Sequence, residues 1–245
     1  MDRNLIFDIG LHRGLDANFY LRKGFRVVGL EAVQDLCAQA AKLNKEFCKS
    51  GRLTIVQKAL YGASNESVEF YINPEKDDWG SLFRGVAEKG VGSSRRIFVE
   101  TITLSDLIEQ HGTPYYLKCD IEGGDSILSE QLCLQVEKPE FVSLEATNID
   151  DFDRLRMCGY DRFQLVNQYV NPFTMAPRPA REGRYAEVTF NHHMSGLFGK
   201  ELQASLWVDF AEVTRQYLDW RSLRERNENL APGWLDVHAC RQESL

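Results

Sequence analysis

The stretch Asp8-Ile9-Gly10-Leu11-His12-Arg13-Gly14 constrains this chain more than any other. It follows the apolar run Leu5-Ile6-Phe7 and precedes Ala17-Asn18-Phe19-Tyr20-Leu21, so it reads as a strand, a glycine turn and the start of a helix. Gly10 can take the positive φ of a sharp turn, and Gly14 lets a ligand or a strand approach closely. The new helix presents free backbone N–H groups at the same place. The dinucleotide fingerprint G-x-G-x-x-G would need glycines where His12 and Leu15 stand. What remains is an acid two residues before the first glycine and a glycine four residues after it. That is the arrangement of S-adenosyl-L-methionine (SAM) sites, and a carboxylate suits a ligand carrying an ammonium and a sulfonium. A plain strand-to-helix turn has the same pattern, so the rest of the chain must decide.

The rest alternates strands with helices. A helix over residues 15–23 stops at Gly24, and the strand Phe25-Arg26-Val27-Val28-Gly29-Leu30 ends in Glu31. That acid lies about 20 residues past the turn, where α/β cofactor folds place a carboxylate for ribose hydroxyls. A second helix covers residues 33–47, and a third strand, 53–58, closes on Ala59-Leu60, a small apolar patch that suits an adenine ring. Between residues 67 and 103 the rhythm breaks: 68–72 and 97–102 alternate like strands of an antiparallel insertion, with Trp79-Gly80-Ser81-Leu82-Phe83 in the loop between them. Such an aromatic turn either touches a ligand or packs at a loop tip.

A helix over residues 104–111 leads to the fourth parallel strand, which ends in Asp120-Ile121-Glu122-Gly123-Gly124-Asp125 and runs into a helix over 126–134. The fifth strand, 140–144, ends in Glu145; a helix over 149–158 and a sixth strand over 160–166 follow. Ligands of open parallel sheets sit outside the carboxyl ends of the strands. Asp8, Glu31 and Asp120 all stand at such ends, which together suits a cationic, hydroxylated ligand. Residues 171–184, rich in proline and arginine, form a loop before a final strand over 185–190, directly followed by Asn191-His192-His193-Met194. No third ligand at metal spacing accompanies these histidines, so zinc is not expected. The tail carries an amphipathic helix over 205–226 with Leu206, Phe210, Val213, Tyr217 and Trp220 along one stripe.

The 245 residues, 43% of them hydrophobic, suffice for one large α/β domain. We divide the chain into a cofactor-binding domain over 1–195 and a helical extension over 196–245 that packs on the domain or on a neighbouring subunit of a homo-oligomer. A net charge of −7 offers no footprint for nucleic acid and leaves a small-molecule or sugar-like partner. The six cysteines, Cys37, Cys48, Cys119, Cys133, Cys158 and Cys240, lack C-x-x-C spacing and read as reduced core thiols of a cytoplasmic protein. The first strand starts too close to Met1 for a signal peptide, and no apolar run reaches the roughly 18 residues of a membrane span.

Four pieces taken together, the 8–14 turn, Leu30-Glu31-Ala32, Thr103-Leu104-Ser105-Asp106-Leu107 and Lys118-Cys119-Asp120-Ile121-Glu122-Gly123, resemble the FkbM family of SAM-dependent methyltransferases over residues 4–146. The resemblance implies a class I methyltransferase fold, with a seven-stranded, mostly parallel sheet whose last strand is antiparallel. It also implies methyl transfer to a hydroxyl of a sugar, glycan or natural product. It places Asp8, Gly10, Gly14, Glu31 and Ala32 at the cofactor and Asp120 and Glu122 at the reaction edge. His12 departs from the asparagine more common in the family and puts one cofactor hydrogen bond in question.

In-line displacement at a sulfonium depends chiefly on orientation, and an aliphatic hydroxyl needs a base. Asp120, which also borders the cofactor site, is the first candidate; Glu122, Glu145, His192 and His193 follow. A nicotinamide-dependent oxidoreductase and a catalytically degenerate binding protein are the rival readings. The missing glycines disfavour the first, and the retained acids Asp8, Glu31 and Asp120 disfavour the second.

Overall fold

The computed structural model describes residues 1–245. In chain order the elements are β1 (Asp2–Ile9), α1 (Leu15–Arg22), β2 (Arg26–Leu30), α2 (Gln34–Leu43), α3 (Lys45–Lys49), β3 (Leu53–Val56), β4 (Ala59–Leu60), β5 (Ser67–Ile72), α4 (Arg84–Ala87), β6 (Arg95–Ile102), α5 (Leu104–His111), β7 (Pro114–Cys119), α6 (Asp125–Leu134), β8 (Phe141–Glu145), α7 (Ile149–Met157), β9 (Arg162–Asn167), α8 (Phe210–Arg226) and β10 (Leu235–Cys240). Seven strands form one sheet in the order β3-β2-β1-β7-β8-β10-β9. The pairs β1–β2, β1–β7, β2–β3 and β7–β8 are parallel, while β10 is antiparallel to both β8 and β9. A second sheet of three strands, β4-β6-β5, forms the insertion.

The apolar run of β1 is continuous because both of its faces are covered. Leu5, Phe7 and Ile9 join Leu128 and Leu132 of α6, Phe152 of α7 and Val213 and Tyr217 of α8 in one core layer. Ile6, on the other face by the two-residue strand period, packs with Phe19 and Tyr20 of α1, Tyr116 of β7 and Phe198.

Several expectations are corrected. Residues 185–190 are not a strand; Ala186 and Phe190 are buried, and Phe190 meets the Phe19 ring edge-on at 5.2 Å. Their alternation reflects an extended segment laid over α1, since one buried side gives a period of two with or without a ladder partner. The seventh strand is instead Leu235-Asp236-Val237-His238-Ala239-Cys240, buried along its whole length and disguised by two ionisable residues. The tail beyond residue 195 thus supplies an inner strand of the sheet and packs on the chain's own core. Within that tail Leu206 is exposed, whereas Val213 and Tyr217 carry the stripe. Finally, Cys133 of α6 and Cys158 beyond α7 are joined as a disulfide, leaving four free cysteines. Helices α6 and α7 lie side by side, and this contact was invisible in the 25-residue sequence separation. No helix is long and apolar enough to cross a membrane.

The layer over the Tyr20 face also buries charge. Lys23 pairs with Glu201, each side chain at most 1% exposed, and Tyr115 Oη donates to Glu182 Oε2 at 2.5 Å. Burial, opposed by the Tyr115 hydroxyl and reinforced by the Glu201 charge, pushes the Glu182 carboxyl up to about 7. Between its ordinary value of 4.5 and about 7 the folded chain thus holds a proton that the unfolded chain has released. The contribution to stability is complete below that window and is lost as pH rises through it. Glu182→Gln should flatten this slope and raise stability at pH 8 by on the order of 2 kcal/mol relative to wild type. Urea unfolding at pH 5 and pH 8 tests it, and an unchanged pH slope in the variant would refute the assignment.

Candidate active site

A cleft of about 960 Å³ opens at the carboxyl ends of β1, β2, β7 and β8. This is the crevice where the strand order reverses on either side of β1, the usual ligand position in open α/β sheets. Gly10 and Gly14 shape it differently from one another. Gly10 has φ +84°, and a Cβ there would stand 1.8 Å from the Asp120 carbonyl oxygen, so the ends of β1 and β7 can meet only over a glycine. Gly14 has φ +73°, and its Cβ would meet Asn44 Nδ2 at 2.9 Å and Ala40 Cβ at 3.0 Å. The close approach at Gly14 is that of α2, and Gly14 lies off the cleft wall.

Asp8 is fully buried and does not border the cleft. Its partner is Lys118, the residue opposite it in the β1–β7 pair. Lys118 Nζ lies 3.4 Å from Asp8 Oδ1, 3.4 Å from Asp16 Oδ2 and 3.8 Å from Asp120 Oδ2. Burial works against the ammonium, yet Asp8, Asp16 and Asp120 hold it well above its ordinary value. Asp16 in turn accepts from the Ser195 amide at 3.0 and 3.1 Å. Asp8 therefore reaches the cleft only through Lys118, which does border it.

Glu31 borders the cleft and is 8% exposed. Its Oε2 accepts from the His12 amide at 2.8 Å and its Oε1 from the Val33 amide at 2.9 Å, fixing the glycine turn to the end of β2. Each oxygen keeps a further acceptor position. Burial, opposed by these amides, raises its pKa. Ala32 and Ala59 flank it, and with Leu36, Leu60 and Phe70 they make an apolar wall.

The opposite wall is acidic. Asp120, Glu122 and Glu145 present carboxylate oxygens that all lie within 4.8 Å of one another. Glu122 adopts φ +46°, and the Ser81 hydroxyl donates to its carbonyl at 2.7 Å, so the insertion braces the end of β7. Burial, then repulsion from Asp120, pushes Glu122 up to about 9 and Glu145 up to about 8.

The loop between β5 and β6 closes over the cleft. Asp77 Oδ2 takes Arg13 Nη2 at 2.5 Å and Asp77 Oδ1 lies 3.3 Å from His12 Nε2, while Asp78 lies 3.5 Å from His193 Nδ1. His12 is thus turned to the loop, and burial lowers its pKa despite Asp77. His192 and His193 both border the cleft, as does Trp79, with Lys76 Nζ 3.6 Å from its ring centroid. The sequence reading missed Lys118, Asp77, Arg224 and Trp234. Lys118 carried a usable signal, since it stands two residues before Asp120 on one strand and so shares its face. Arg224 and Trp234 carried none, because their place follows from the late seventh strand.

A parallel sheet with an antiparallel seventh strand inserted before the sixth, and an acid-lined glycine turn at its crossover, defines a class I methyltransferase. A sequence model described as the methyltransferase FkbM domain matches residues 8–171, and the chain belongs to that family. It is a SAM-dependent methyltransferase. The residues present fit the cofactor: the cleft joins an apolar wall beside a carboxylate to a cluster of acids, matching an adenosine at one end and a cationic methionyl group at the other. Among solved structures, the chain is similar to precorrin-6y C5,15-methyltransferase from Geobacter metallireducens, at 10% identity and TM-score 0.43, over 99% of this chain and 82% of that one. It is also similar to a SAM-dependent methyltransferase from Geobacter sulfurreducens in complex with S-adenosyl-L-homocysteine, at 12% identity and TM-score 0.37, over 98% and 85% of the two chains. A third, from Thiobacillus denitrificans and in the same type of complex, has 11% identity and TM-score 0.38, over 98% and 86%. No curated protein matches the chain in sequence.

Proposed function

We propose that this chain methylates a hydroxyl oxygen on a sugar, glycan or natural-product acceptor, with Asp120 as the proton acceptor. The observation that carries the reading is the acidic wall: a carboxylate 45% exposed at the end of β7, ion-paired with Lys118 and flanked by Glu122 and Glu145. SAM, when bound, supplies an electrophilic methyl group on a sulfonium. Asp120 takes the hydroxyl proton on its Oδ atoms as the acceptor oxygen becomes nucleophilic, and Lys118 keeps the carboxylate in place. Glu122 and Glu145, whose carboxyl groups burial and the Asp120 charge raise above the ordinary value, border the place where a polyhydroxylated acceptor is oriented. Trp234 gives such a ring an apolar face, and the Asp77 contacts to Arg13 and His12 tie the insertion loop to the glycine turn. Transfer of labelled methyl from SAM across glycans, polyketides and small polyols is the direct test; labelling confined to nitrogen or carbon acceptors would sink the oxygen assignment.

Glu31 is the proposed ribose ligand, accepting from both hydroxyls with Ala59 beside the adenine. Charge-assisted bonds of this kind contribute about 1.5–3 kcal/mol. Glu31→Ala should therefore weaken SAM binding by roughly ten- to a hundredfold in calorimetry. Wild-type affinity in the variant would remove the assignment and leave Glu31 as a brace for the turn.

A further inference from the structure

The acidic wall crowds more carboxyl groups than its one buried cation, Lys118, can pair. Lys118 lies opposite Ser143 in the β7–β8 pair, so Asp120 comes level with Glu145, which itself faces Asp236 in the antiparallel β8–β10 pair. Directly opposed residues share a sheet face. Asp120, Glu145 and Asp236 thus form one row of carboxylates, with Glu122 beside it. Asp236 is 7% exposed, and burial together with the charges of Asp120 and Glu145 dominates its surroundings, with no hydrogen bond to relieve it. Asp125, 1% exposed in the first turn of α6, has the Cys119 thiol beside it and the charges of Asp120 and Asp151 against it. Lys118 is already shared with Asp8 and Asp16, and it stands farther from Asp120 than from either of them.

Unpaired buried carboxylates are costly, and a cation bound among them offsets the cost. An all-oxygen donor set selects a hard divalent ion. Oxygens bound to one Mg²⁺ at about 2.1 Å lie at most about 4.2 Å apart, and around Ca²⁺ at about 2.4 Å at most about 4.8 Å apart. The 4.8 Å spread of Asp120, Glu122 and Glu145 therefore needs no more than a small side-chain movement to close on an ion.

We infer that Asp120, Glu122 and Glu145 bind one hard divalent cation of the Mg²⁺ or Mn²⁺ class, backed by Asp236, and that its open coordination positions take oxygens of the acceptor. The second clause rests on the oxygen-methylation reading; the first does not.

Mn²⁺ titration of the full-length chain, followed by electron paramagnetic resonance at fixed ionic strength, tests the site without an acceptor. We expect one Mn²⁺ per chain, displaced by Mg²⁺, with affinity lowered at least tenfold by Glu145→Gln and about 10–100-fold by Asp236→Asn. Glu75→Gln, an acid on the same cleft but outside the row, should leave the affinity unchanged. Calorimetric SAM affinity in each variant reports that the fold is intact. Absence of stoichiometric Mn²⁺ binding overturns the proposal, and so does an equal loss in Glu75→Gln, which would mark a diffuse acidic surface. Stoichiometric binding with no oxygen methylation on any acceptor leaves the ion site standing and removes the acceptor assignment. Full turnover in excess chelator removes the ion's contact with the acceptor.

Discussion

Asp120→Asn should lower saturated turnover by about 10²–10⁴-fold while SAM affinity changes little. Asparagine keeps the shape of the side chain at the end of β7 but cannot take the hydroxyl proton. If Asp120 instead holds the methionyl ammonium, the loss of a charged partner should appear chiefly as weaker SAM binding. Calorimetric affinity and turnover at saturating acceptor, measured on the one variant, separate the two roles. Turnover restored by saturating Mn²⁺ would assign the loss to a weakened ion site, and turnover that stays low would assign it to the missing base. Wild-type values for both quantities would leave Asp120 as an ordinary strand-end carboxylate and move the search to Glu122, Glu145, His192 or His193.

Lys118→Met should cost about 3–5 kcal/mol of stability at pH 7, the usual penalty for breaking a buried ion network on one side. Methionine fills the same volume, so the loss is electrostatic: the carboxyl groups of Asp8, fully buried, and Asp16, 4% exposed, would lose their cationic partner. Burial already pushes the Asp8 carboxyl up against the pull of Lys118. Without Lys118 the folded state takes up a proton more readily than the unfolded chain, so the penalty should shrink as pH falls toward 5. Urea midpoints of wild type and variant across pH 5–8 check both statements. A deficit under about 1 kcal/mol at pH 7, or one independent of pH, would show that Lys118 is not what holds these acids.

Much of this architecture is legible from residues 1–167, where helix and strand periods alternate cleanly outside the 67–103 insertion. Gly10, Glu31 and Asp120 are legible at strand ends, because a turn at the edge of a parallel sheet leaves a local mark. Asp8 was legible as a strand-end acid but not as a buried partner of Lys118, since that depends on cross-strand register between residues 110 apart. The seventh strand was misplaced for a related reason. Residues 185–190 have the alternation of a strand without a ladder, and 235–240 have a ladder but carry Asp236 and His238 into the interior. His238 is 1% exposed, and burial pushes it down to about 3, so it enters the sheet as a neutral ring. A residue type that titrates in water and stays neutral in the core cannot be told from a surface one by its letter. The disulfide between Cys133 and Cys158 was equally hidden, because helix-to-helix proximity leaves no spacing rule.

The place of β10 also sets the order in which the molecule can be completed. Strand β9 is bonded to no sheet strand except β10, and Leu235 pairs with Asn167. During synthesis β8 therefore waits with an open edge, and β9 without its ladder, until β10 emerges, a delay of several seconds at about 5–20 residues per second. For that interval the nascent chain exposes the unpaired strand edge that recruits other chains, and chaperone protection is most needed between the emergence of β9 and that of β10.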